Sequence, residues 1–367
     1  MTMLFMPAAP RSALQSGVVR RSSRGRPGAE RKERFPMPKV DICIPCYQYG
    51  HFLGECLDSV LQQSVKDVRI LVIDDASSDD SVAVAQLYAA RHPCIELLVH
   101  PVNRGHIQTF NEGLAWARSD YMLLLSADDL LAPGALERAV TLMDRRPDVA
   151  LIHGLAVDLF PDQPLPASPV TAVEPEWQIE TGDAFISRLC RDPVNPVSTP
   201  AAIVRTTAQT AVGGYRPALT HSGDLEMWLR LATRGGVAYL PALQAIKRVH
   251  GNNMSVVCAD AIMRDYLQRA AAFESFFRQE GHDLPDGAAL YRMARHRLAE
   301  RAFWTAMAQS CRGNWRTGRR LFRLVRELDP STSFLPLLGH LVRTRRIDRR
   351  VLAVVGDVFG GRRGAAR

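Results

Sequence analysis

The stretch Tyr121-Met122-Leu123-Leu124-Leu125-Ser126-Ala127-Asp128-Asp129 is the most informative one for the fold class, because five apolar side chains are followed, two residues later, by adjacent carboxylates. A short, uninterrupted apolar run is typical of a strand buried on both faces of a sheet. Acidic residues at the end of such a strand lie at the rim of the sheet, where open α/β sheets bind ligands. Two interpretations are open: a ligand site, or a solvated turn in which Asp129 caps a helix beginning near Pro133.

Upstream of this stretch, apolar runs predict three more strands, at 40–44, 68–73 and 94–99, and helical patterns lie between them. Strands that alternate with helices of 10–14 residues predict βαβ units. The expected fold class is therefore α/β: one Rossmann-like domain with a mixed, mostly parallel sheet flanked by helices, followed by a C-terminal helical appendage.

Polar side chains follow each of the four predicted strands. They are Tyr47, Asp74-Asp75, Asn103-Arg104 and Asp128-Asp129. Because the carboxyl ends of parallel strands meet at one edge, these residues are expected to outline a single crevice. No G-x-G-x-x-G or G-x-x-x-x-G-K-[ST] follows the first strand, so neither a dinucleotide nor a P-loop site is predicted. An acid pair suits a divalent cation that holds a diphosphate, since Mg²⁺ and Mn²⁺ take carboxylate and phosphate oxygens.

The sequence after Asp129 predicts further helices and strands, and the chain as a whole is predicted to divide into three segments. Helices are expected at 133–144, from the Thr181-Gly182-Asp183 start to Arg191, and at 225–233. Strands are expected at 149–153, 201–205, 238–240 and 245–250. After Asp260 the pattern is helical, and 290–310 and 315–328 predict an antiparallel pair. The predicted segments are a disordered basic N-terminal segment (1–37), a catalytic domain (38–258) and an Arg-rich helical region (259–367).

Composition limits the function classes. Seven scattered cysteines predict reduced thiols and a cytoplasmic protein, and the pair Cys43 and Cys46 is predicted to be buried rather than metal-binding. The net charge is +8, yet residues 40–258 carry 25 acidic and 16 basic side chains. The basic segments lack interleaved aromatic side chains, so no nucleic-acid partner is predicted. No stretch reaches the ~18 apolar residues of a membrane span.

Arginines and leucines between residues 325 and 350 predict a basic amphipathic surface. One interpretation is peripheral docking on an anionic membrane, at the inner face of the cytoplasmic membrane, near a lipid-linked acceptor. The other is a helical hairpin packed on the catalytic domain with a solvated arginine face.

Six ordered motifs resemble the family 2 glycosyltransferases, which have the GT-A fold. The motifs are Ile44-Pro45-Cys46-Tyr47; Phe52-Leu53 with Leu57-Asp58-Ser59-Val60-Leu61-Gln62-Gln63-Ser64; Val72-Ile73-Asp74-Asp75-Ala76-Ser77-Ser78-Asp79; Asn103-Arg104-Gly105; Asn111-Glu112-Gly113-Leu114; and Ser126-Ala127-Asp128-Asp129. The resemblance covers about residues 39–255. It implies inverting transfer of a sugar from a nucleotide-diphosphate sugar to a hydroxyl of a glycan or lipid-linked acceptor, aided by Mg²⁺ or Mn²⁺. It also implies a role in cell-surface polysaccharide or lipopolysaccharide assembly.

The same resemblance assigns roles to individual residues. The nucleotide-sugar site comprises Pro45, Tyr47, Asp75, Arg104 and Asp128, with Asp75 contacting the base. The metal ligands are Asp129 and His250, the general base is Asp224, and the acceptor contacts are Glu226 and Trp228. The chain departs from the family's pattern twice, because Ala127-Asp128-Asp129 replaces D-x-D and Gly223-Asp224 replaces Glu-Asp.

Alternatives remain open at the level of residues and of function. Asp224 could instead cap the following helix, His250 could be structural, and Arg104 could lie in a solvated loop. The whole chain could be a catalytically silent nucleotide-sugar-binding homologue. It could also be a metal-dependent nucleotidyltransferase, although the glycine-rich, Lys/Arg-bearing loop of that class does not follow the first strand.

Overall fold

The computed structural model describes residues 39–161, 163–166, 176–251 and 259–330. The predictions for residues 1–37, and those for the tail beyond residue 330, lie outside the described residues. Nine strands are described: β1 Val40–Cys46, β2 Val68–Asp74, β3 Ile95–Val99, β4 Tyr121–Leu124, β5 Leu130–Leu131, β6 Val149–Leu159, β7 Gln178–Glu180, β8 Ala202–Arg205 and β9 Gly236–Arg248.

The helices lie between and after these strands. They are α1 Gly50–Leu61, α2 Ser81–Arg91, α3 His106–Trp116, α4 Ala135–Arg145, α5 Gly182–Arg191, α6 Thr206–Val212, α7 Gly223–Ala232, α8 Ala259–Arg278, α9 Gly287–Cys311 and α10 Trp315–Leu328. No helix among the described residues is long and apolar enough to cross a membrane.

The strands form one sheet in the order β3-β2-β1-β4-β8-β6-β9-β5, with β7 also paired to β9. The parallel pairings β1–β2, β2–β3, β1–β4 and β6–β9 run over more residues than the antiparallel ones. Strand β8 is antiparallel to both β4 and β6 and joins the two parallel parts. The predicted α/β class with a mixed, mostly parallel sheet is therefore confirmed.

Both faces of the central strands are buried, as their apolar sequences predict. Ile42 and Ile44 contribute to a core with Leu53 and Leu57 of α1. On the opposite face Cys43 faces α3, and a Cβ on Gly113 of that helix would lie only 2.0 Å from its sulfur. Glycine therefore allows α3 to pack closely on the sheet. The prediction that Cys43 and Cys46 are buried thiols is confirmed, since both are less than 3% exposed.

The sequence predicts two final strands, at 238–240 and 245–250, whereas the structure has one continuous strand, β9. Strand β9 runs through Pro241, and its register against β6 shifts between Gly154 and Leu155. Proline cannot donate a ladder hydrogen bond, and a bulge accommodates it. The short strands β5 and β7 and the helix α6 were not predicted, because two to seven residues carry too little periodicity.

The C-terminal helices pack together and against the sheet region. Helices α9 and α10 are joined by a short turn in which Gly313 has φ 82°, and they bury Leu298, Ala302, Leu321 and Leu324. Helix α8 contributes Phe273 and Phe276 to the same core as α7 of the sheet region. These helices therefore support the segment that carries Asp224.

Candidate active site

A cavity of about 630 Å³ opens at the carboxyl ends of the central strands. Six of the residues predicted for the site lie in its wall: Pro45, Tyr47, Asp75, Asp128, Asp129 and Asp224. They come from the ends of β1, β2 and β4 and from the first turn of α7. The parallel connections thus bring residues far apart in sequence to one edge of the sheet.

Asp75 follows β2 and is held by a set of donors. Its Oδ1 accepts a hydrogen bond from the backbone N–H of Arg104 at 2.7 Å, and Oδ2 accepts one from Gly105 N–H at 2.8 Å. His100 Nδ1 lies 2.8 Å from Oδ1. Burial raises the pKa of Asp75, but these hydrogen bonds outweigh it and hold the pKa below its usual value. The carboxylate is therefore ionised at neutral pH.

His100 connects Asp75 to a second carboxylate. Its Nε2 lies 2.7 Å from Oε2 of Glu112, and the Arg104 guanidinium contacts Oε1 of the same side chain at 2.6 Å. Burial lowers the pKa of His100, yet hydrogen bonding to the two carboxylates raises it overall. Because Arg104 is paired with Glu112, the structure does not bring its side chain into the cavity wall.

Asp128 and Asp129 lie just beyond β4, where the sequence predicted them. Both are about 5% exposed, and Asp129 Oδ1 accepts a hydrogen bond from the backbone N–H of Arg248 at 3.1 Å. Burial, followed by repulsion from Asp128, raises the pKa of Asp129 to about 8. Asp129 does not cap the next helix, because α4 begins at Ala135 with left-handed Gly134 before it. The solvated-turn interpretation is therefore wrong.

His250 lies beside the acid pair rather than in the cavity wall. Its Nε2 is 3.0 Å from Asp128 Oδ2, and its ring packs against Phe52 and Tyr49 at centroid distances of 5.1 and 5.4 Å. This geometry fixes the orientation of Asp128. The described residues contain no group of three or more His, Cys, Asp or Glu side chains arranged to hold a metal. A divalent cation here would need further oxygen ligands from a bound diphosphate, which is how Mg²⁺ is commonly held.

Asp224 lies in the first turn of α7 and faces the cavity. Its Oδ2 accepts a hydrogen bond from Thr199 Oγ1 at 2.8 Å, and the Tyr215 hydroxyl also donates to this carboxylate. Burial raises the pKa of Asp224 above its usual value, while these two donors oppose the shift. The N-cap of α7 is Ser222, so the interpretation of Asp224 as a cap is wrong.

The structure does not bring Glu226 and Trp228 to the cavity. Glu226 is fully buried and forms ion pairs with Arg230 at 2.8 Å and Arg216 at 2.6 Å. Trp228 is 3% exposed within the core formed by α7 and α8. The prediction that these two side chains contact the acceptor needs correction, because Glu226 is enclosed by its arginine partners and Trp228 packs in the core instead of lining the cavity.

Several residues in the cavity wall were not predicted from the sequence. Thr199 and Tyr215 contact Asp224, and His106, His221 and Lys247 also line the cavity. Thr199 begins a single 3₁₀ turn and Tyr215 lies in a loop, and no local pattern distinguishes them. His106 directly follows the motif Asn103-Arg104-Gly105, and His221 lies three residues before Asp224, so proximity to a motif was the signal that could have found these two.

Comparison with known proteins agrees with this geometry. The family described as Glycosyl transferase family 2 matches residues 41–194. A chondroitin synthase from Escherichia coli is 23% identical over 220 residues, which is 60% of this chain and 30% of the synthase. The chain thus spans less than a third of that relative.

Two solved structures share the fold. Staphylococcus aureus TarS 1–349 in complex with UDP superposes with a TM-score of 0.56 at 16% identity, covering 88% of this chain and 92% of TarS 1–349. The mannosyltransferase PcManGT from Pyrobaculum calidifontis, in complex with GDP-Man and Mn²⁺, superposes with a TM-score of 0.52 at 16% identity, covering 88% and 85%. At these identities the likeness concerns the fold alone.

Proposed function

We propose that this chain, a member of glycosyltransferase family 2 with the GT-A fold, transfers a sugar with inversion. The donor is a nucleotide-diphosphate sugar, and the acceptor is a hydroxyl of a glycan or lipid-linked molecule. One observation carries the proposal: a single cavity is lined by Asp75, by the acid pair Asp128 and Asp129, and by a separate acid, Asp224. Each of the three suits a different part of the reaction.

The donor end of the cavity comprises Pro45, Tyr47, Asp75 and Asp128. Asp75 is ionised and accepts hydrogen bonds from a nucleobase, while Pro45 and Tyr47 line the nucleotide pocket. Asp129, adjacent to Asp128, is the residue that would bind Mg²⁺ or Mn²⁺, and His250 orients Asp128. When bound, the cation offsets the negative charge that develops on the leaving diphosphate. The complexes of TarS with UDP and of PcManGT with GDP-Man and Mn²⁺ support this assignment.

The acceptor end of the cavity contains Asp224. Inversion is a single in-line displacement, which requires a base to take the proton of the attacking hydroxyl. Burial makes the Asp224 carboxylate a stronger base, and donors from Thr199 and Tyr215 hold it in place. We assign Asp224 as the general base.

The biological setting follows from the relatives and from α10. Chondroitin synthase supports a role in polysaccharide assembly. Helix α10 exposes five arginines on one face: Arg316, Arg319, Arg320, Arg323 and Arg326. Its apolar face packs against α9. We assign this arginine face to peripheral contact with anionic lipid at the cytoplasmic side of the membrane.

The transferase activity can be tested with Mn²⁺, a panel of nucleotide sugars and a hydroxyl acceptor library, scoring nucleoside diphosphate release. We expect Asp224→Asn to lower transfer by about 10²–10⁴-fold while nucleotide binding is retained. Asp183→Asn is a matched control, because Asp183 also follows the first glycine of a helix, α5, but is exposed.

The same assay separates the alternatives. A wild-type protein that binds nucleotide sugar but releases no diphosphate with any donor would instead be a silent homologue. Exchange of labelled pyrophosphate into a nucleoside triphosphate would indicate a nucleotidyltransferase. Transfer by Asp224→Asn at the rate of Asp183→Asn would contradict the assignment of the base.

A further inference from the structure

The side-chain amide of Asn111, on α3, holds both backbone polar groups of Tyr215. Its Oδ1 accepts a hydrogen bond from Tyr215 N–H at 2.6 Å, and its Nδ2 donates to Tyr215 C=O at 2.9 Å. A neighbouring antiparallel strand makes the same pair of bonds to one residue. Gly214 leaves room for the amide, since a Cβ there would lie only 2.5 Å from Asn111 Oδ1. The contact thus joins α3 to a loop 104 residues further along the chain.

Tyr215 extends from this contact to the cavity. Its side chain is 5% exposed, and its ring packs edge-to-face on Phe110 of α3 at a centroid distance of 5.5 Å. The hydroxyl at the end of the ring donates to Asp224. Because the packed ring is rigid, a displacement of the Tyr215 backbone also displaces the hydroxyl. Asn111 is not among the residues that line the cavity, so its effect on Asp224 passes through Tyr215.

We infer that Asn111 is a positioning residue of the transfer reaction: it holds the Tyr215 backbone and so keeps the Tyr215 hydroxyl on the general base, Asp224. This inference rests on the proposed function. The position requires a side chain that both donates and accepts, because the N–H and C=O of Tyr215 face it together. An aspartate would present only acceptors to that carbonyl oxygen, and a leucine would leave both backbone groups without a partner.

Loss of the amide has a specific consequence for the base. Burial raises the pKa of Asp224, and the Tyr215 hydroxyl opposes that rise. Once the hydroxyl is displaced, Asp224 binds a proton at a higher pH. The other titratable groups that act on this carboxylate are His106 and His221, which lower its pKa and are retained when Asn111 is replaced. A residue that only stabilised α3 would not move the pKa of the base.

The test is the pH profile of kcat/KM for Asn111→Leu, which removes both hydrogen bonds at nearly constant side-chain volume. We expect the acid limb to move to higher pH. At neutral pH kcat should fall by about three- to tenfold, with the KM for the nucleotide sugar unchanged. In a Tyr215→Phe background the same substitution should move the limb no further, because the hydroxyl is already absent. Gln108→Leu, at an exposed amide on the same helix, should keep the wild-type profile.

Gly214→Ala disturbs the same contact without removing a polar group. Gly214 does not have a positive φ, so alanine adds a methyl group without backbone strain. That methyl group displaces the Asn111 amide, and we expect the acid limb to move in the same direction. Gly54→Ala is the control, since a Cβ there meets only the Tyr88 side chain, at an ordinary distance of 3.4 Å. If Asn111→Leu does not fold, Gly214→Ala decides the question, and an unmoved limb overturns the inference.

The outcomes distinguish this inference from the proposed function. Wild-type protein that transfers no sugar overturns the proposed function and the inference with it. A folded Asn111→Leu protein with an unmoved acid limb overturns the inference and leaves the transferase assignment intact. A shift that is equally large in the Tyr215→Phe background also overturns it, because Asn111 would then act by a route other than the hydroxyl.

Discussion

The basicity of Asp224 depends on two side chains that reach it from distant segments. Thr199 donates to its carboxylate at 2.8 Å and lowers its pKa, against the effect of burial. In Thr199→Val that donor is lost, so the pKa of Asp224 rises and the base is protonated at a higher pH. We expect the acid limb of the pH profile of kcat/KM to move to higher pH, with less than about a tenfold loss above it.

Thr210→Val is the control for this shift, because Thr210 is exposed on α6 and bonds only to the backbone of Thr206. Its pH profile should coincide with that of the wild type. A Thr199→Val profile with an unmoved or lower acid limb would be inconsistent with Asp224 as the titrating base.

Ionisation of Asp129 destabilises the folded protein when no metal is bound. Folding raises its pKa from 3.8 to about 8, chiefly through burial. A raised carboxyl pKa means that ionisation opposes folding, so this cost grows as pH rises from about 4 to about 8. In EDTA at pH 7.5, Asp129→Asn should therefore unfold at a higher temperature than wild type. The free energy of unfolding should be larger by on the order of 1–2 kcal/mol.

Mn²⁺ with UDP should reverse this order, because the ligands stabilise the wild type and not Asp129→Asn. Asp67→Asn, at an exposed position before β2, serves as the control and should change neither melting curve. A wild-type protein that is already the more stable one in EDTA would contradict the account of Asp129.

Among the helices, α7 is anchored by a buried ion pair that has an exposed counterpart. Glu226 and Arg230 are spaced i, i+4 and are at most 2% exposed, and Arg230 also donates to the carbonyls of Val212 and Gly214. Glu226→Gln leaves Arg230 without a buried counter-charge. We expect urea unfolding to show a loss of about 3–5 kcal/mol.

Glu274 and Arg278 have the same i, i+4 spacing on α8, but both are well exposed. Glu274→Gln should therefore change the free energy of unfolding by less than about 0.5 kcal/mol. Equal effects of the two substitutions would mean that the ion pair does not anchor α7.

Charge is unevenly distributed along the chain, between the acidic region 40–258 and the arginine face of α10. The double substitution Arg319→Glu and Arg323→Glu should reduce binding of the full-length protein to vesicles containing phosphatidylserine. Each arginine near such a surface contributes roughly 1 kcal/mol, so the loss should exceed about tenfold. Sedimentation with vesicles measures it.

Arg91→Glu with Arg145→Glu is the matched control, since these exposed arginines lie on α2 and α4 with the same change of net charge. Equal losses of vesicle binding in the two double variants would mean that only the net charge of the protein matters. Undiminished binding by Arg319→Glu with Arg323→Glu would contradict the assignment of the arginine face to membrane contact.

The sequence pattern predicted the order of the main strands and helices and the acids at the ends of β2 and β4. Apolar runs that end in Asp75 or Asp129 are local signals, and parallel topology carries such residues to one edge of the sheet. The paired helices α9 and α10 were also predicted from the sequence, because their apolar periodicity and the intervening turn lie within one short stretch.

The side chains that surround those acids were identified only from the folded structure. Thr199 and Tyr215 reach Asp224, and His100 reaches Asp75, through contacts between segments that no local period describes. The direction in which α7 turns Glu226 into the core was also hidden, since a helical pattern gives spacing but not rotation about the axis. Local propensity fixes which elements form, whereas packing against neighbouring elements fixes the partners of each buried polar group.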